Sequence, residues 1–281
     1  MRYFWSLIAF LAVNACLAGE QEPVRYRITY DCDMNFCDNR RKVTRFNLDV
    51  GDSTAVFYSI AYRGWCAAED SICKTDHIDK KFMPYDKLMA LGDRFQYSDP
   101  LQVMYNVPQR GRYMYSNHLF QWEFVYDEAL PTIGWHIADS CKVINGYVCH
   151  NATGELYGRH WSVWYAEDVP IIYGPYLLWG LPGLVMEAVE AEGHFTINAV
   201  GIENAPAEAT VDWRITNEIR HCTRKKFVAF RNGLDNMTRS EYISCAMGDG
   251  DISKMKIYDS KGKEVDPGER IDSKHYYFDK E

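Results

Sequence analysis

Polar and apolar residues alternate with a period of two through much of this chain. Val24, Tyr26, Ile28 and Tyr30 interleave with Arg25, Arg27 and Thr29, and Phe46, Leu48 and Val50 interleave with Arg45, Asn47 and Asp49. Such alternation marks strands that put one face into a core. The same reading predicts a partner strand over 54–62 and strands over 101–107 and 111–116. These last two flank a Pro108-Gln109-Arg110-Gly111 turn. Further strands are expected over 118–126, 140–156, 159–166, 184–191 and 194–202, with short terminal ones at 253–258 and 274–278. Helical signals are few. Pro84 near the start and Gly92 after the end frame a helix over 84–91. Residues 223–231 and 238–246 form a more basic helical pair. No linker, low-complexity tract or internal repeat interrupts the pattern. It predicts a mainly β fold, namely an antiparallel barrel, half-barrel or sandwich with a few short helices, mostly near the C-terminus.

Composition supports this and narrows it. The 281 residues are 47% hydrophobic, with 20 Tyr, 13 Phe and 8 Trp. That is enough apolar surface for a core, and flat rings pack well on a pleated sheet. The formal charge of −8 argues against a nucleic-acid backbone as partner. Residues 4–13 are apolar except for Ser6 and follow Arg2, the pattern of a signal peptide over 1–18. No later apolar run is long enough to cross a membrane, so the mature chain is expected to have no transmembrane span. Cys16-Leu17-Ala18 fits cleavage after Ala18, whereas Val13-Asn14-Ala15-Cys16 reads as a degenerate lipoprotein box with Cys16 lipidated. Both readings stay open. The expectation is an exported protein of the periplasm or outer membrane. It would have one β-rich domain over 19–281, with 222–281 a candidate helical appendage.

Cysteines add an expectation of their own. Once Cys16 is removed or lipidated, eight remain, in four neighbouring couples: Cys32 and Cys37, Cys66 and Cys73, Cys141 and Cys149, Cys222 and Cys245. An oxidising compartment and the small closure entropy of short loops favour local disulfides. None of the couples has zinc-type Cys-x-x-Cys spacing, and no metal or cofactor is expected. The couple around Asn145-Gly146 carries its own test. A three-residue loop places position 141 opposite 149, whereas a two-residue turn puts these cysteines on opposite faces.

One segment is unlike the rest. Residues 158–188 read as a strand, a long apolar loop and a second strand. The loop holds Pro170, Gly174, Pro175, Gly180, Pro182 and Gly183. Leu181-Pro182-Gly183-Leu184 fits a type II turn. A loop this apolar is expected to fold back over the sheet, burying Tyr176, Leu177, Leu178, Trp179 and Leu181.

Gly180-Leu181-Pro182-Gly183-Leu184-Val185 resembles the motif of the GLPGLI family, with Val185 at the final Ile position. Gly158-Arg159, Trp164-Tyr165, Val169-Pro170-Ile171 and Gly174-Pro175 stand in the family's order, as do Pro131-Thr132-Ile133-Gly134-Trp135 and the Gly146–Thr153 segment upstream. The resemblance implies an exported protein of Gram-negative bacteria, of unassigned activity. Genes of this family often lie near those of outer-membrane transport proteins, which makes such a protein a candidate partner.

No nucleophile elbow, zinc helix, phosphate loop or dinucleotide fingerprint occurs. Two carboxylate pairs, Glu167-Asp168 and Asp127-Glu128, could serve acid–base chemistry if brought together and otherwise read as solvated loop acids. Arg159, His160 and Trp164 form a candidate cationic-aromatic ligand site, with Arg159 alternatively neutralising a carboxylate such as Glu187. Tyr173, Tyr176 and Trp179 are candidates for gripping a hydrophobic or sugar-like ligand or a partner, or else for plugging the core. The basic residues Arg220, Arg224, Lys225, Lys226 and Arg231 are candidates for steering an acidic partner, or else form one solvated helix face. The leading reading is a non-enzymatic envelope protein that binds a hydrophobic ligand or an envelope partner. The alternatives are an unrecognised hydrolase of peptides or glycans and an envelope scaffold with no small ligand.

Overall fold

The computed structural model describes residues 22–37, 40–95, 100–120, 122–213, 218–247, 257–258, 264–270 and 275–280. The signal segment and Cys16 lie outside these residues, as do the side chain of Cys37 and most of the strand expected at 253–258.

Twelve strands form one mixed sheet. They are β1 (Tyr26–Cys37), β2 (Arg40–Val50), β3 (Ala55–Ser59), β4 (Gln102–Tyr105), β5 (Arg112–Leu119), β6 (Trp122–Ala129), β7 (His136–Ile144), β8 (Tyr147–Leu156), β9 (Arg159–Ala166), β10 (Leu184–Glu190), β11 (Phe195–Asn204) and β12 (Glu218–His221). Their spatial order is β12-β6-β5-β4-β3-β2-β1-β11-β10-β9-β8-β7. Every neighbouring pair is antiparallel except β12, which runs parallel to β6. A separate two-stranded ribbon pairs β13 (Ile257–Tyr258) with β14 (Glu264–Val265).

The sheet is open, and it curls. On a flat sheet, the eight strand steps from β5 to β8 would put roughly 38 Å between them at the usual spacing. Instead the Tyr113 hydroxyl on β5 lies 2.9 Å from that of Tyr157, just past β8. The half-barrel is therefore the member of the expected set that forms. The alternation in the sequence sets its inner face. Ile28, Tyr30 and Cys32 of β1, Phe46 and Leu48 of β2 and Trp161, Val163 and Tyr165 of β9 all join one buried cluster. Residues from the opposite face, Val56, Tyr58, Met104, Met114 and Val125, form a second cluster under the 205–213 segment.

Helix α1 (Ile60–Asp76) falls where a strand was expected to run on to residue 62. Ser59 is the reason for the change: its side chain accepts from Tyr62 N and caps the helix. Helices α2 (Tyr85–Phe95), α3 (Arg224–Gly233) and α4 (Arg239–Met247) lie at the three expected places. Phe227 and Val228 of α3 and Phe278 of the C-terminal segment enter the main core, which ties 222–280 to the sheet. Residues 275–280 form no strand of the sheet.

Three of the four expected cysteine couples do not form, and the fourth, Cys32 and Cys37, involves a side chain outside the described residues. Asn145 and Gly146, with φ of 50° and 86°, make the two-residue turn whose central residues both need positive φ. Ile144 faces Tyr147 and Cys141 faces His150, so Cys141 is exposed while Cys149 is buried in the core. Cys66 and Cys73 sit seven residues apart on α1, about 10 Å along its axis and beyond disulfide reach. Cys222 and Cys245 do not form a disulfide, and the Cys222 thiol donates to Val125 O instead. Iodoacetamide should therefore label Cys141 in the native protein within minutes and Cys149 only after denaturation. Mass spectrometry reads the difference, and a Cys141–Cys149 crosslink would show the other register.

On the outer face, the Tyr62 ring stacks on His118 at 5.8 Å, and its hydroxyl donates to Glu123 Oε2 at 2.8 Å. Burial first, then the Lys80 charge, pushes the His118 pKa down from 6.5 to about 4. In that window the unfolded chain takes a proton that the folded chain refuses. Stability should therefore fall as pH drops from about 6.5 to 4, by up to about 3 kcal/mol. His118→Phe, which keeps the stack, should flatten this slope in urea melts.

Candidate functional site

The candidate site is built on the 167–183 loop, because that loop closes the open side of the half-barrel. Ile171, Tyr176, Leu177, Leu178 and Leu181 are buried in the main core. Each such aliphatic side chain contributes about 1.5–3 kcal/mol by leaving water. Backbone bonds from Leu178 N to Pro175 O, from Gly180 N to Ile172 O and from Leu184 N to Val169 O fix the loop's path. Buried tyrosines hold it from below. Tyr105 Oη lies 2.9 Å from Gly174 O and 2.5 Å from Tyr176 O, one donor shared between two carbonyls. The Tyr30 hydroxyl donates to Val185 O at 2.9 Å.

Two tryptophans lock the outer side reciprocally. Trp135 Nε1 donates to Trp179 O at 2.9 Å, and Trp179 Nε1 donates to Pro131 O at 2.8 Å. The Gly-Leu-Pro-Gly-Leu-Val run is thus a structural element. Gly180 needs its φ of +88°. Gly183 is not in the left-handed region, so the expected type II turn does not form. Glycine stands there for space: a Cβ would lie 2.2 Å from Ala166 O.

The loop's outward edge makes one wall of a groove of about 730 Å3. Tyr26, Val50, Leu130, Ile172, Tyr173 and Trp179 supply its apolar surface, and Arg25, Asp52 and Arg110 stand among its polar residues. Arg25 and Asp52 neutralise each other through two hydrogen bonds of 2.9 Å. Asn106, at φ 62°, orients the wall. Its Nδ2 lies 2.7 Å from Ser53 O and 2.8 Å from Tyr173 Oη, and the Tyr173 hydroxyl donates to Ser53 O. Tyr26 and Ile172 remain 44% and 47% exposed, which leaves the apolar groove open to a ligand.

The other sequence candidates scatter. Tyr176 is 1% exposed and belongs to the core. Arg159 points inward, 3.0 Å from buried Glu190 rather than to Glu187, and donates to Tyr277 O at 2.7 Å. Glu187 pairs with Lys142 at 2.8 Å, and that ammonium also sits over the Trp164 ring. His160 points outward into a separate depression of about 600 Å3 that also holds His136, Glu155 and Ser162. It lies 3.8 Å from Glu155, while Ser162 Oγ accepts from Asn151. No described hydrogen bond joins Ser162 to either histidine.

Nor do the acid pairs converge. Asp127 is held by Arg112 and Glu128 by Arg224, while Glu167 and Asp168 are exposed. The basic run is not one solvated face either: Arg231 is buried, and Arg224 turns inward with it. Glu190, Glu192 and His194 have the proximity of metal ligands, a set missed in the sequence. The Arg159 guanidinium already occupies it, within 3.0–3.9 Å of all three.

No protein-family model matches the chain, and no curated protein matches it. Among solved structures it is similar to PNGF-II in its C2 crystal form, at 12% identity and a TM-score of 0.50, over 76% of this chain and 34% of that one. The P21 form gives 13% identity and a TM-score of 0.49. This chain thus spans about a third of the PNGF-II chain, and the likeness is one of fold. The LolA superfamily protein NE2245 from Nitrosomonas europaea aligns over 69% of this chain and 94% of that one, at 6% identity and a TM-score of 0.25.

The two sides of the loop should respond differently to substitution. Tyr176→Ala should cost about 3–5 kcal/mol, whereas Ile172→Ser should stay within about 0.5 kcal/mol. Chemical denaturation of the two variants measures the contrast.

Proposed function

We propose that this chain is a GLPGLI-type protein of the cell envelope, exported through its N-terminal segment, that binds a hydrophobic group in the groove beside the 167–183 loop. The observation that carries this reading is the groove itself. It has about 730 Å3 of space, three aromatic side chains along an apolar wall and a rim whose Arg25–Asp52 pair is internally neutralised. Binding pockets are concave and mostly apolar, with a few placed polar groups, and this groove has that composition. The hydrophobic group is either a small ligand or a side chain of an envelope partner, and the pocket chemistry suits both.

The loop's geometry favours a binding role over a mobile lid. Its inner side is committed to the core, so the groove wall is set before any ligand arrives, and preorganisation lowers the ordering cost of binding. No helix among the described residues is long and apolar enough to cross a membrane.

A photo-crosslinking side chain placed at Ile172 in intact producing cells tests the proposal. Val200 on β11, also about half exposed, serves as the control position. The expected result is a discrete adduct from position 172 and none from position 200. Equal labelling at both positions, or none at 172, contradicts the reading.

A further inference from the structure

The C-terminal segment has the chemistry of a bound ligand. Phe278 is buried between Tyr176 and Phe195, with ring centroids at 4.8 and 4.6 Å and planes within about 25° of parallel. The next residue, Asp279, is 4% exposed. Its carboxylate meets Arg231 Nη1 at 2.6 Å and Arg224 Nη1 at 3.3 Å, and its carbonyl accepts from Arg231 Nη2 at 3.1 Å. The segment adds no strand to the sheet. Besides the Asp279 carbonyl, its backbone is held by bonds from Lys280 N to Tyr157 O, from Arg159 Nε to Tyr277 O and from His275 N to Asp235 Oδ2.

The site around this segment offers more donors than the segment uses. The Tyr126 hydroxyl, Arg231 Nε and the Trp161 indole N–H are buried and have no hydrogen-bond partner. Buried polar groups are nearly always satisfied, so three such donors in one region need a cause. Burial holds both Tyr126 and Tyr176 hydroxyls well above their usual pKa, and Asp279 adds to this, so they remain protonated donors. A space of about 70 Å3 lies beside the segment, lined in part by Tyr115, Tyr176, Arg231 and Phe278. Arg231 is 3% exposed, and a cation at that depth requires an anion beside it.

We infer that this interior is a second binding site, for a carboxylate carried on a large apolar group, and that Phe278-Asp279 closes it as a built-in competitor. The apolar group takes the place of the Phe278 ring between Tyr176 and Phe195. The acid takes the place of the Asp279 carboxylate between Arg224 and Arg231. A ligand with additional acceptor oxygens also reaches the donors that the chain's own tail leaves unused. This site is separate from the groove of Tyr26, Ile172 and Trp179, and neither proposal depends on the other.

The test uses the full chain. In Asp279→Asn the tail keeps its shape and loses its charge, and in Phe278→Ala/Asp279→Asn it loses both anchors. The probes are dodecanoate, dodecanol and a fluorescent peptide with the sequence of residues 274–281. An attached tail competes at an effective concentration on the order of millimolar, so the wild-type chain should bind the probes weakly. Dodecanoate should bind Asp279→Asn at least about tenfold more tightly than it binds wild type. The double variant should also bind the peptide, and dodecanoate should displace it while dodecanol does not. Adding Arg224→Gln to either background should weaken dodecanoate by about tenfold or more. A cooperatively folded Asp279→Asn chain that binds dodecanoate no better than wild type overturns the inference. So does equal binding of dodecanoate and dodecanol, or indifference to Arg224→Gln. If the double variant does not fold, the Asp279→Asn comparison decides alone.

Discussion

The fold depends on burying an apolar loop without stranding its backbone. A half-barrel of twelve strands has an open side, and in this chain the 167–183 loop covers it. Irregular backbone in a core must find hydrogen-bond partners or lose about 1–3 kcal/mol for each orphaned group. The chain supplies them with tyrosine hydroxyls from the inner face, Tyr105 and Tyr30, and with the reciprocal indole bonds of Trp135 and Trp179. Tyrosine rather than phenylalanine at positions 30 and 105 follows from this constraint. A phenylalanine at position 105 would fill the same space and leave two loop carbonyls unserved.

The same arrangement produces the groove. Because Tyr176, Leu177, Leu178 and Leu181 are committed inward, Ile172, Tyr173 and Trp179 are left facing the β2–β3 and β4–β5 turns. The Asn106–Ser53–Tyr173 hydrogen bonds then set the spacing of the two walls. The core plug and the groove wall are two sides of one segment, so the motif residues read as structural and the proposed binding surface lies beside them.

Local signals made much of the fold legible in the sequence. Period-two alternation located β1, β2, β5 and β8 to β11, and the apolar character of 171–181 announced that the loop would be buried. The turn at Asn145-Gly146 was visible too, although the assumption of a Cys141–Cys149 bond pointed to the wrong loop length. Two residues decide what was missed. Ser59 ends β3 and caps α1 within an unbroken apolar run, where strand and helix look alike. Gly183 carries a backbone contact with Ala166 across the β9–β10 pair rather than a turn conformation, and a contact between residues far apart in the chain leaves no local trace. The interior site was the least legible. It joins Arg224 and Arg231 to Asp279 across about 50 positions, and only packing brings them together.

Amide hydrogen exchange tests the central claim, that the 167–183 loop is part of the core rather than a cover. The informative amides are Leu178 and Gly180, bonded within the loop, and Leu184 at the start of β10, bonded to the loop carbonyl of Val169. The account predicts that they open only with β9 and β10, with the same protection and the same dependence on denaturant. Exchange of these three at the rate of exposed amides, while the strands stay protected, would contradict it.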